Sequence, residues 1–281
     1  MKKVVIIGGG FAGSRTALHL EKHFDVTLID TKDYFEFTPG LLRSFVEPDH
    51  IMRIQVKHNN YLKKSKVIIG HVTNIDKKRV WVGKKRKISY DYVVICSGSY
   101  YNEPIKERDV VLASRREHLK KVIKQLKKAS RVLIVGGGLV GVELAGEIST
   151  RFLEKKIILL HSHERLMQRN NLKSSIYAEN FLKRKGVEII FNEKLKNKKG
   201  KHYFTESGKK ILADMAFLAT GIQPQFEFMK KNFSNSLTKE GFIKVDSFLR
   251  VEGMRNVFAA GDITSIQEEK TAQNAQYHAA L

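Results

Sequence analysis

Apolar positions along the chain are grouped into short, unbroken aliphatic runs. Residues 4–7 (VVII) and 132–135 (VLIV) are two of them. A strand covered by helices on both faces has no solvent side, so such a run reads as a buried parallel strand. Each run meets a glycine-rich turn and then a helix-compatible segment, 14–20 and 142–148. Three further apolar segments end in small-residue turns: 90–99 (YDYVVICSGS), 213–224 (ADMAFLATGIQP) and 256–263 (NVFAAGDI). The first two of these would each close one domain. The pattern predicts an α/β fold of two Rossmann-like dinucleotide-binding domains. Segments 66–90 and 188–212 predict a small antiparallel β-meander crossover in each. The amphipathic stretch REHLKKVIKQLKK (116–128) predicts a helix leading into the second domain. The expected division is a discontinuous first domain, 1–110 with 241–281, and a second domain, 111–240.

The two turns carry glycines at one spacing, Gly8, Gly10, Gly13 and Gly136, Gly138, Gly141, 128 residues apart. In a dinucleotide fingerprint the first glycine makes the tight turn and the second lets the backbone approach a pyrophosphate. The third lets the helix pack on the strand, and the helix N-terminus supplies N–H donors and partial positive charge. Phe11 and Ala12, inside the first turn, are candidate cofactor contacts as well. The fingerprint also expects an acid at the end of the next strand, to bind a ribose hydroxyl. Asp30 fills that place 17 residues past Gly13, and nearby Lys32 is placed to touch the same adenosine half. The second copy departs, with His161 standing 20 residues past Gly141. A neutral imidazole can bond a ribose and repels a 2′-phosphate less than a carboxylate would. Arg165 and Arg169 follow closely. The first site therefore reads as dedicated to a diol ribose, and the second as permissive between NADH and NADPH.

With these segments in order, the chain resembles the two-dinucleotide-binding flavoproteins of the pyridine nucleotide–disulfide oxidoreductase superfamily. The stretch DYFEFTPGLLRSFVEP (33–48) resembles type II NADH:quinone dehydrogenases. GVELAGEI (141–148) and IILLHSHERLM (157–167) resemble those enzymes and, more closely, the ferroptosis-suppressor branch of apoptosis-inducing-factor-like flavoproteins. The resemblance implies FAD in the first domain and NAD(P)H as co-substrate in the second. It places Gly261 and Asp262 at the flavin side of FAD, Pro39 near the isoalloxazine, and Ser97 and Gly98 among the FAD contacts. Gly221 would line the nicotinamide cleft. Glu143, two residues past the last glycine and expected in the first helical turn, would be the catalytic residue, reaching the nicotinamide to orient its carboxamide and relaying protons toward the acceptor. Its alternative role is simple compensation of the helix N-terminus.

Cysteine narrows the branch. Disulfide-reducing members of the superfamily use a CxxxxC pair, and this chain has one cysteine, Cys96, inside an apolar strand. Electrons must then leave the flavin for an outside acceptor. No metal set stands out among the ten histidines. No apolar stretch approaches the ~20 residues that span a bilayer, and the four-residue run before the first glycines is too short for a signal peptide.

Charge adds a surface to this picture. There are 51 basic and 29 acidic residues, a formal net charge of +22. Lysine clusters such as DKKRVWVGKKRK and LKKVIKQLKK would attract anionic lipid headgroups, acidic carriers or nucleic acid. They lack interleaved aromatics, which disfavours nucleic-acid recognition. The expectation is a cytoplasmic FAD-dependent NAD(P)H:quinone oxidoreductase in peripheral contact with an anionic membrane surface. Two alternatives stay open: a reductase of an acidic protein carrier of the ferredoxin or rubredoxin type, and a nucleotide-dependent nucleic-acid-binding protein. Resembling proteins continue past this point into a third, C-terminal interface domain, expected to be absent from this chain.

Overall fold

The structure is a computed structural model that describes residues 1–101, 105 and 115–281. The aliphatic runs form the centres of two parallel sheets. The first has strand order Val257–Ala259, Tyr92–Ile95, Lys3–Ile7, Asp25–Asp30, Lys66–Ile69, every neighbour parallel. The second runs Glu188–Ile190, Lys156–Leu160, Arg131–Val135, Met215–Leu218, again all parallel. In both, the strand before the glycines is flanked by two partners and buried on both faces, which is why its sequence shows no alternation.

Each central strand hands the chain to a helix, Phe11–Leu20 and Leu139–Arg151. These helices bury small residues against the sheet: Ala12, Gly13, Thr16 and Ala17 in one, Gly141, Ala145 and Ser149 in the other. Close approach demands them. A Cβ on Gly13 would stand 1.8 Å from the carbonyl oxygen of Gly8, and one on Gly141 at 1.8 Å from that of Gly136.

The meanders start later than expected. Lys66–Ile69 is the fifth strand of the first parallel sheet, and the antiparallel meander is Val72–Ile75, Arg79–Val82, Arg86–Ser89. Likewise Glu188–Ile190 joins the second sheet, and the second meander is Leu195–Lys199, His202–Thr205, Lys210–Leu212. A run of two or three aliphatic residues suits either partner, so only tertiary packing separates the two cases.

The halves are joined more closely than a linker would join them. A segment of the first half, with helical turns Thr38–Gly40, Leu41–Ser44 and Pro48–Met52, crosses to the second. There Leu41, Leu42, Phe45, Ile51 and Ile54 share one core with Ile134, Leu144 and Phe217. Phe45 and Phe217 meet edge to face at 5.4 Å. Ser99–Tyr100 pairs with Gln223–Pro224, tying the sheets' exits together. Phe228, Met229 and Phe233 already pack with Val5 and Val93 in the first core, so the chain returns before residue 241. The 110/111 boundary falls outside the described residues.

Candidate active site

Each glycine turn is built for an anion. Gly8 has φ +101° and Gly136 φ +112°, and a Cβ at either would strike a main-chain carbonyl, that of Cys96 at 2.3 Å or of Ala219 at 2.2 Å. Gly10 and Gly138 are the N-caps of the following helices, without side-chain caps and without acids in the first turn. A Cβ on either would meet nothing within 4 Å. Both line cavities, so the uncapped N–H groups and the positive end of each helix face open space. That arrangement fits the pyrophosphate of a dinucleotide.

The first cavity holds about 350 Å³. Its walls include Gly8, Gly10, Phe11 and Ala12 from the turn, Asp30 and Lys32 from the next strand end, and Pro39 from the crossing segment. Ser97, Gly98, Gly261 and Asp262 close it at the C-terminal ends of the neighbouring strands. Asp30 is braced by a residue that carries no signal in the sequence. Fully buried His58 meets Asp30 Oδ2 through Nε2 at 3.0 Å and Tyr61 Oη through Nδ1 at 2.6 Å. The carboxylate must accept, so Nε2 carries the proton and Tyr61 donates to Nδ1. Asp30 Oδ1 accepts from the Thr31 N–H at 2.7 Å. Asp262 accepts from Ser99 Oγ at 2.6 Å, and the Gly261 N–H donates to His278 Nδ1 at 3.0 Å. Ser97 Oγ is spent on the Gln225 carbonyl, 2.7 Å away, where it fixes the turn.

The second cavity holds about 600 Å³ and is lined by Gly136, Gly138, His161, Arg169 and Gly221. Buried His161 accepts the Gly137 N–H on Nδ1 at 3.0 Å. Its pKa is lowered, by burial first and by neighbouring His163 second, with the Arg165 carbonyl opposing. The guanidinium of Arg165 donates to the carbonyls of Gln168 and Asn170, so of the two arginines after His161 it is Arg169 that lines the cavity.

The two cavities share a wall made of Tyr101, Leu139, Val140, Ile222 and Lys270. Glu143 lines the first cavity beside it. The helix begins at Leu139 and has no acid in its first turn, so Glu143 lies deeper than expected. Compensation of the helix end fades within one turn and does not account for it. Burial, and then the charge of Glu147, push its pKa up. Glu147 itself pairs with Arg43 at 3.2 Å and braces the crossing segment. Burial, followed by the charges of Asp262 and Glu143, lifts Tyr101 to about 12. Burial lifts Cys96 likewise to about 12, leaving a neutral thiol in the strand. Lys270 donates to the carbonyls of Thr264 at 2.8 Å and Ile266 at 2.9 Å. Sequence patterns hold no signal for Tyr101 or Lys270. Among the described residues no cluster of three or more His, Cys, Asp or Glu could hold a metal, and no helix is long and apolar enough to cross a membrane.

Two uncapped dinucleotide cradles opening on one wall define an oxidoreductase that works with two nucleotides. The chain belongs to the pyridine nucleotide-disulphide oxidoreductase family, whose profile matches residues 2–279. FAD and NAD(P)H are its cofactors. Apoptosis-inducing factor homolog B of Dictyostelium discoideum is 33% identical over 306 residues, covering 100% of this chain and 79% of that protein. Ferroptosis suppressor protein 1 of Taeniopygia guttata is 30% identical, covering 99% of this chain and 78% of its own length. The fold matches NDH2 of Plasmodium falciparum in complex with NADH with a TM-score of 0.79 at 21% identity, over 95% of this chain and 65% of that one.

Proposed function

We propose that the protein is an FAD-dependent NAD(P)H:quinone oxidoreductase. The observation that carries this reading is the shared wall: the cavities at the two glycine turns are both lined by Tyr101, Leu139, Val140, Ile222 and Lys270. Bound FAD would supply a two-electron carrier between NAD(P)H and a quinone, and the quinone would become a quinol on gaining two electrons and two protons.

The chain's own residues would bind, orient and supply protons. The turns around Gly10 and Gly138 would seat the two pyrophosphates, and Asp30 the first ribose. Asp262, pinned by Ser99, would fix the flavin-side end of FAD. Glu143 is held in a desolvated wall with its pKa raised, so it carries a proton further toward neutral pH than an ordinary carboxylate. That suits a group which passes one of the two protons toward the acceptor. Cys96 is solitary and neutral, so no thiol relay intervenes.

The test is anaerobic. The flavin absorbance of the purified protein is expected to bleach on adding NAD(P)H and to recover on adding a water-soluble quinone analogue. Bleaching without recovery by quinone would overturn the acceptor. The net charge of +22 favours one second reading, reduction of an acidic protein carrier. Raised salt would slow that reaction steeply and leave the quinone analogue nearly unaffected.

A further inference from the structure

Helix Arg115–Lys128 leads into the second half and turns a face to water that neither cavity uses. Its first residue, Arg115, lines the first cavity, and from there the helix extends about 20 Å toward the far end of the second sheet, at 1.5 Å per residue. Leu119, Val122, Ile123 and Leu126 are its buried side. Opposite them Arg116, Lys120, Lys121, Lys124, Lys127 and Lys128 are exposed. With 3.6 residues per turn these cations fall within an arc of about 140°, and Glu117 is the one acid among them.

Apolar side chains border this face. Arg116 Nε donates to Gln55 Oε1 at 3.0 Å, which joins the helix to the strand pair Tyr34–Glu36 and Gln55–Lys57. Val56 in that pair is 43% exposed, Met52 just before it 60%, and Phe37 just after its first strand 45%. The Phe37 N–H donates to the Ile54 carbonyl at 2.8 Å, so the three stand close together. Single exposed apolar side chains are ordinary, but a group of them beside a row of cations is not. Thr38 and Pro39 follow Phe37 and line the first cavity. The exposed acids of this segment, Glu47 and Asp49, are matched by Arg53 and Lys57.

We infer that this face docks on an anionic lipid bilayer, with the lysines of helix Arg115–Lys128 against the headgroups and Phe37, Met52 and Val56 in the boundary between headgroups and acyl chains. Charge selects an anion, and residue type selects a diffuse one. All the cations after Arg116 are lysine, a hydrated point charge without the planar fork by which arginine grips a single carboxylate or phosphate. A row of ammonium groups gains instead from a continuous field, which a leaflet of anionic lipid provides. The same leaflet takes up the apolar rim, for which the phosphate backbone of a nucleic acid has no place. Docking itself needs nothing from the oxidoreductase reading. Only one consequence rests on that reading: the bilayer would hold the quinone beside the first cavity.

The test is cosedimentation of the flavin-loaded chain with vesicles of phosphatidylcholine, alone or with phosphatidylglycerol at about three parts in ten. The chain should pellet with the anionic vesicles and stay in solution with the neutral ones. Lys120→Glu, Lys121→Glu and Lys124→Glu together should lower the partition coefficient at least about 100-fold. The same reversal at Lys196, Lys198 and Lys199, exposed on the second meander, should lower it less than about threefold at physiological salt. Met52→Ser should cost about fivefold. Equal losses from the two triple variants would mean that net charge alone binds, and would overturn the face. So would a short DNA duplex or polyglutamate that, at equal anion concentration, binds the native chain more tightly than the vesicles do and releases the first triple variant. That variant should still bleach with NAD(P)H and recover with the quinone analogue. If the vesicles bind as expected and the flavin does not cycle, the oxidoreductase reading fails and the docking face stands. If the flavin cycles and the anionic vesicles do not bind, the face fails and the reading stands.

Discussion

The two halves build one turn twice and finish it differently. Backbone geometry is nearly superimposable: φ of +101° and +112° at the first glycine, and 1.8 Å from the third glycine's missing Cβ to the carbonyl it covers. Beyond the turn the halves diverge. In the first, Asp30 is braced through its side chain by His58 and Tyr61. In the second, His161 is braced through the main chain by Gly137. The turn is the part the two halves share, and the strand end is where they differ. One backbone solution would serve both cofactors because a pyrophosphate is common to them, which leaves the side chains to tell them apart.

The sharpest way to separate the halves is to fill one cradle at a time. Gly10→Val and Gly138→Val place a side chain in open cavity space, so both chains are expected to fold. Gly10→Val should purify without flavin. Gly138→Val should keep its flavin and lose at least about 1000-fold in its reduction by NAD(P)H, roughly 4 kcal/mol. If both variants fail in the same half-reaction, the assignment of one cofactor to each half is wrong.

Glu143 tests the wall between them. Glu143→Gln should cut steady-state NAD(P)H oxidation by about 100-fold. It should also stabilise the fold in a pH-dependent way. A carboxyl whose pKa is raised on folding binds its proton more tightly in the native chain than in the unfolded one. Native stability then falls as pH climbs from the ordinary carboxylate range through the raised value, and stays lower above it. The variant lacks that loss. Its melting temperature should approach that of the native chain near pH 4 and exceed it at pH 7, and a gap that narrows with rising pH would reverse the assignment.

Smaller effects report on the brace behind Asp30. His58→Gln should raise the FAD dissociation constant by roughly 10- to 100-fold, as removal of a hydrogen bond to a charged group does. Flavin fluorescence on dilution measures it, and NAD(P)H binding at the second site serves as the control. Tyr61→Phe leaves His58 in place and removes only the proton donated to Nδ1. A loss of about 1 kcal/mol, near fivefold, is expected. If Tyr61→Phe proves as costly as His58→Gln, the histidine is acting as core filling and not as a brace.

Much of this is legible in the residues because it is local. Glycine spacing, the strand runs and the strand-end Asp30 and His161 lie within 31 residues of each other in each half. The brace is not legible, since His58 stands 28 residues from Asp30 and meets it only through the folded chain. The strand Lys66–Ile69 reads as the start of the meander, because an aliphatic triplet carries no mark of its partner. The sequence puts Glu143 a turn too early, since helix starts blur by one or two residues. Tyr101 and Lys270 gain meaning only from the two cavities that they separate.

Residues 38–54 enter the second half's core through Leu41, Leu42, Phe45, Ile51 and Ile54, although they belong to the first half by position in the chain. Recombination between relatives must respect this. A chimera cut at the apparent boundary would pair one parent's Phe45 with the other parent's Phe217, and one parent's Arg43 with the other's Glu147. The exchangeable module is thus discontinuous: residues 38–54 travel with 115–219, and a graft that leaves them behind divides a core instead of joining two domains.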